Sequence, residues 1–219
     1  MNRLICFLLS VLFIFNFSGC TGVSESFKEI ESMLVIQTMG IDVDKSLRLS
    51  LASAANPRAD DPPVRLSSNG GSISSALQNA FDSSSDRHLF FSHIEHVIFG
   101  EKAAEKGIED YLNYICRSPL MRIDVPLYII RNDSAENAVL NSGDEKLGIS
   151  EQLRGIQSTG NIRGDILVYT AADVIRETDR SGASLICALD LIRTEGEKEK
   201  ISLSPNGSAI LGQSFFSWD

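Results

Sequence analysis

The 219-residue chain has little of what catalytic and metal sites require. It has three histidines and four cysteines. No CxxC and no HExxH occurs, so the usual zinc spacings are absent. GxGxxG and GxxxxGK are missing, which leaves a nucleotide-phosphate cradle unsupported. No GxSxG elbow occurs, so an α/β-hydrolase reading has no footing. Positive charge is also scarce, with 20 Lys and Arg against 29 Asp and Glu and a net charge of −9. Phosphate contacts need clustered cations, so nucleic acid is excluded as a partner. The same deficit leaves no charge-driven attraction to anionic lipid. No apolar run reaches the roughly 20 residues of a membrane-spanning helix.

What is present begins at the N-terminus. Arg3 precedes an apolar run from Leu4 to Phe17, followed by Ser18-Gly19-Cys20. A charged start, a short apolar stretch and small residues before a cleavage point describe a secretory signal. The ending resembles a bacterial lipobox, whose cysteine receives a diacylglyceryl thioether and becomes the first mature residue. Phe17 stands where such motifs usually have Leu. An ordinary signal with an incidental cysteine, or an uncleaved anchor, is the alternative. The expected organisation is a lipoprotein signal peptide at 1–19, a lipidated Cys20, a polar tether at 20–31 and a folded body at 32–219. An internal boundary near 143 is possible. Each buried CH₂ of an acyl chain contributes about 0.8 kcal/mol, so two or more chains hold stably. For an acidic body, that lipid is the main attachment to a membrane.

Periodicity gives the body its elements. Met33 to Asp42 reads as a buried strand, and Leu47, Leu49 and Leu51 alternate with Arg48 and Ser50 as its hairpin partner. Asn56 to Gly71, rich in Pro, Asp, Asn and Gly, reads as a loop. Ser72 can cap a helix carrying Ile73, Leu77, Ala80 and Phe81. His88 to Gly100 reads as a strand, Glu101 to Arg117 as one amphipathic helix, and Asp124 to Arg131 as a strand. Asp133 and Glu136 suit the start of a short helix. A further helix spans Ile149 to Ser158, and Thr170 with Asp173 can cap another. Ala183 to Arg193 and Ile201 to Leu211 pair as a second hairpin. The final Phe215 to Asp219 is apolar, with little chain left to bury it. The expected fold is α+β: a mixed β-sheet body with flanking helices and two hairpins.

Candidate chemical groups do not converge. His88, His93 and His96 are close in sequence, but on a strand His93 and His96 point to opposite faces. His88 and His96 would lie about 26 Å apart. Asp42, Asp44, Asp60 and Asp61 read as solvated turn or loop carboxylates. Cys116 and Cys187 sit at apolar spacing and read as buried core thiols rather than a disulfide. Neither a catalytic residue nor a metal ligand is assigned, no cofactor is implied, and the ligand-binding residues are left unassigned.

The order of segments resembles the Ger(x)C family, the C-subunit lipoproteins of bacterial spore germinant receptors. The resemblance rests on Ser18-Gly19-Cys20, on Met39-Gly40-Ile41-Asp42, and on the block Leu89 to Gly100 running into Glu101. It continues through Arg117-Ser118-Pro119, Arg122, the strand to Arg131, and Asn206-Gly207-Ser208-Ala209-Ile210. Thr21 to Ser26 departs from the Trp-Asp-x-Arg-Glu-like segment usual after the lipid cysteine. The resemblance covers only the N-terminal part of the family's architecture, and the C-terminal domain is expected to be missing. It implies a non-enzymatic subunit on the outer face of the spore inner membrane. That subunit works beside membrane-embedded A-type and transporter-like B-type subunits in nutrient-triggered germination, as scaffold or signal relay. The exposed loop from Asn56 to Gly71 is the expected partner contact. Two other classes remain open: a solute-binding lipoprotein of a transporter, and a lipid-anchored hydrolase using a residue such as His93.

Overall fold

The computed structural model describes residues 33–54, 63–84, 88–143, 148–164, 166–194, 200–212 and 216–218. The signal peptide, Cys20 and the tether lie outside them, as does most of the Pro-rich stretch after Asn56. What is described belongs almost wholly to one compact unit, Leu34–Asp219.

A nine-stranded mixed sheet organises this unit. Its strands are β1 (Met33–Val43), β2 (Leu47–Ser53), β3 (Arg65–Gly70), β4 (His88–Phe90), β5 (His96–Gly100), β6 (Leu127–Ile130), β7 (Ala183–Thr194), β8 (Lys200–Gly212) and β9 (Phe216–Trp218). The order is β3-β2-β1-β5-β6-β7-β8-β9, with β4 beside β1. The central strands β1, β5, β6 and β7 run parallel, and antiparallel strands flank them on both sides. Strand β6, covered on both faces, carries no charged residue: Leu127, Tyr128, Ile129 and Ile130 are all fully buried.

Among the described residues, six helices cover the sheet: α1 (Ile73–Ser83), α2 (Glu101–Glu105), α3 (Glu109–Arg117), α4 (Ala135–Asn141), α5 (Ile149–Arg163) and α6 (Ala171–Ser181). Helices α1, α2, α3 and α6 pack on one face around Val97, Phe99, Leu127 and Ile129. Helices α4 and α5 pack on the other around Ile98, Tyr128, Ile130 and Cys187. Alternation along β5 and β6 thus feeds two separate cores.

Both expected hairpins form, and the α+β class holds. Helix starts follow local chemistry. Ser72 and Thr170 make reciprocal capping boxes with Ser75 and Asp173. At α4 the cap is Ser134 rather than Asp133, and its hydroxyl accepts from Asn137 N at 3.0 Å.

Several expectations are corrected. Arg65–Gly70 is a strand, not a loop, and pairs with β2 from Leu47↔Gly70 to Ala52↔Arg65. Its small polar residues hide the pattern, because buried Ser68 is satisfied by donating to Ala76 O at 2.8 Å. The long strand from His88 is interrupted: Ile94 N bonds back to Phe91 O, and β5 begins only at His96. The single helix over Glu101–Arg117 is two, broken where Gly107 adopts φ 95°. Cys116 is exposed, since it falls off the Leu112–Ile115 stripe of α3, whereas Cys187 is buried as expected. The apolar C-terminus is not stranded, because β9 pairs with β8 through Ala209↔Trp218 and Leu211↔Phe216.

Candidate functional site

The chain leaves β5 towards one face of the sheet, through α2, and leaves β6 towards the other, through α4. Adjacent parallel strands whose connections diverge in this way open a crevice at their carboxyl ends. A cleft of about 690 Å³ lies there, lined by Asp42, Arg48, Glu101, Lys102, Asp133 and Glu136, among others.

Asp42 is the centre of this edge. It ends the buried part of β1, and its Oδ1 and Oδ2 accept from Ala135 N at 2.9 Å and Glu136 N at 2.7 Å. The first-turn N–H groups of α4 therefore have an acceptor from a residue 93 positions earlier. Burial raises the carboxyl above its ordinary pKa, against the two backbone N–H bonds that lower it. Space for the contact comes from two glycines. A Cβ on Gly100 would stand 2.0 Å from Asp42 Oδ1, and one on Gly40 would stand 2.9 Å from Val139 Cγ2. Gly40-Ile41-Asp42 and Phe99-Gly100 are thus halves of a single joint between β1, β5 and α4.

A second joint lies alongside. Glu101 accepts from Asn132 N at 2.8 Å and from Trp218 Nε1 at 2.8 Å. Asn132 takes a left-handed φ of 57°, which asparagine tolerates better than most residues. Arg131 lies 5.1 Å above the Trp218 ring, a cation–π contact. Strand β9 is therefore tied to the start of α2 and to the end of β6. Asp133 binds Asn137 Nδ2 and Arg193, and Arg48 pairs with Glu136 at 2.6 Å.

The histidine block makes a different joint, at the opposite edge. Glu95 accepts from Gln37 Nε2 at 3.4 Å, Ser150 Oγ at 3.1 Å and Arg154 Nε at 2.8 Å, linking β1, β5 and α5. His96 is 1% exposed, packs on Tyr128 at 5.8 Å between ring centres, and has neither nitrogen hydrogen-bonded among the described residues. Burial depresses its pKa to about 4. His93 is exposed beside Phe90, and His88 is exposed on β4. The three histidines do not converge, and the described residues hold no cluster of three or more His, Cys, Asp or Glu placed for a metal ion.

Asp42, Glu101 and Trp218 escape sequence reasoning, which assigns Asp42 to a solvated turn. The available signal was the glycine two residues before Asp42 and the glycine just before Glu101. The lipidation residue Cys20 lies outside the described residues. No helix among those described is long and apolar enough to cross a membrane.

The site's geometry is that of an α+β domain whose motif residues hold strands to helices. Residues 26–191 match the spore germination protein N-terminal domain, and the chain belongs to that family. The matched span contains the Gly40-Ile41-Asp42 joint, the His96 block and Gly100-Glu101, which are among the segments that carry the Ger(x)C resemblance. Membership assigns the protein a germinant-receptor-related role in spore germination. No curated protein and no solved structure matches the chain.

Proposed function

We propose that the chain is a lipid-anchored, non-catalytic subunit of a nutrient germinant receptor. Its place is the outer face of the spore inner membrane. There it acts as scaffold or signal relay beside the membrane-embedded A-type and B-type subunits. The observation that carries this reading is the family match over residues 26–191. The Ser18-Gly19-Cys20 ending supplies the attachment, with Cys20 as the lipidated residue.

The site agrees in kind. Asp42 and Glu101 accept hydrogen bonds from the protein's own backbone and from Trp218. A general base would instead need to face a reacting proton. The carboxylates at this edge set the positions of helices and of β9, which suits a body that presents a fixed surface to partners.

The test is recovery of the protein with its partners from spore membranes. Wild-type chain should co-purify with two multi-spanning proteins after mild crosslinking, and Cys20→Ala should leave the membrane fraction. A protein that stays on the membrane after Cys20→Ala and brings down no multi-spanning partner would sink the reading.

A further inference from the structure

Six large apolar side chains are exposed among the described residues, and three of them, Leu120, Ile123 and Leu167, lie in segments at the start of β6. Leu120 and Ile123 lie in the connection from α3 to β6. Leu167 lies three residues before Thr170, which bridges Pro126 just ahead of β6. Phe81 packs edge-on against Phe91, in the turn that leads into β5, with ring centres 5.1 Å apart. Ile123 is 50% exposed and Leu167 is 54% exposed. Because β1 runs parallel to β5, the chain also enters the sheet at this edge.

At both ends of the parallel strands, acids are paired with cations. Around the carboxyl-edge cleft, Glu136 is paired with Arg48, Asp44 with Lys102 and Asp133 with Arg193, and Lys45 lies in its lining. At the amino edge, Asp124 is paired with Arg122 at 2.5 Å and Glu95 with Arg154 at 2.7 Å, while Arg117 is exposed. Charge therefore does not separate the two edges, and the exposed apolar side chains with their neighbouring arginines mark the amino edge. Arg117 and Arg122 have long apolar stems that allow their charges to sit at phosphate level while neighbouring Leu and Ile go deeper.

We propose that the amino edge of the parallel strands is a bilayer-contact surface, with Leu120, Ile123 and Leu167 in the headgroup zone of the membrane that holds Cys20. This rests on the lipid anchor proposed above. Thirteen residues lead from Cys20 to Met33, and they span at most about 45 Å when fully extended. The tether joins the body at the edge where β1 begins, so that edge needs the least of this length to meet the lipid. The opposite edge stands farther out by the length of β1, about 36 Å for its 11 residues. The acidic cleft then faces away from the lipid.

The test uses the full-length lipidated protein in vesicles of phosphatidylcholine with one-fifth phosphatidylglycerol, the acyl chains brominated. The native Trp218 is the only tryptophan and reports from the carboxyl edge. Its emission should be unquenched. Ile123→Trp in a Trp218→Phe background should be quenched at least about 2-fold and shifted to the blue. Leu167→Trp with Trp218 retained should also be quenched, to a smaller extent because Trp218 is not, and this guards against a folding defect in the first variant. Vesicle-bound protein whose introduced tryptophans are not quenched overturns the bilayer-contact surface and leaves the anchor standing. Protein that does not remain on the vesicles overturns the anchor, and this proposal with it.

Discussion

A Cβ placed on Gly100 would stand 2.0 Å from the Oδ1 atom of Asp42, the oxygen that accepts the Ala135 N–H. Two residues 58 positions apart are therefore fitted to each other, and both are fitted to α4. Gly100→Ala should displace the carboxylate and cost on the order of 3 kcal/mol. Asp42→Ala should cost about 1–3 kcal/mol by leaving two buried N–H groups without their acceptor. In the double variant the methyl has no carboxylate to meet, so the sum should overshoot the measured loss by at least about 1 kcal/mol. Urea denaturation of the four proteins checks this, and strict additivity would mean that the joint does not form.

Trp218 is the only tryptophan, so its fluorescence reports directly on whether β9 is docked. Glu101→Ala removes the acceptor of the indole N–H and the acceptor for Asn132 N. The emission maximum should move to the red and acrylamide quenching should rise, with far-UV dichroism almost unchanged. Emission identical to wild type would show that the Glu101 contact does not hold the strand.

How far the sequence reveals these joints depends on the distance over which each is encoded. Local signals are legible: the caps at Ser72 and Thr170 and the alternation of β7. Strand β3 is not, because Ser67, Ser68 and Asn69 look like loop residues until β2 and α1 supply partners. Asp42 also looks like a turn residue, since nothing near it announces that α4 will close over it. Cys116 follows Leu112 by four, yet α3 buries only Leu112 and Ile115, so spacing alone does not place it inside. The family resemblance located the motif residues, and the structure explains them: Gly40 and Gly100 give α4 and Asp42 room, and Glu95 ties β1, β5 and α5 together.

His96 makes stability depend on pH. Its folded pKa is depressed to about 4 by burial, from an ordinary value of 6.5. Its contribution is therefore fully present above pH 6.5 and is lost as pH falls towards 4. Glu95 opposes the depression and Arg154 adds to it. The wild-type unfolding free energy should fall by up to about 1.4 kcal/mol per pH unit across this window through this residue alone. His96→Phe, which keeps a ring against Tyr128, should lack that component. Parallel slopes for the two proteins would mean that His96 is not buried in its neutral form.

The two described thiols should react very differently. Cys116 is exposed, and Cys187 is buried with its pKa pushed up to about 12 by desolvation. A maleimide should label Cys116 within minutes in the native state and reach Cys187 only on unfolding. Equal native rates would contradict the packing of β7 beneath α4 and α5.

The central claim concerns the residue before which the folded body is expected to be cut from its leader. Mass spectrometry of the N-terminal peptide, from protein extracted from the inner-membrane fraction of dormant spores, tests it most directly. The account predicts a peptide that begins at Cys20 and carries a diacylglyceryl thioether. A peptide that runs unmodified through Gly19 and Cys20, or protein found only in the soluble fraction, would contradict it.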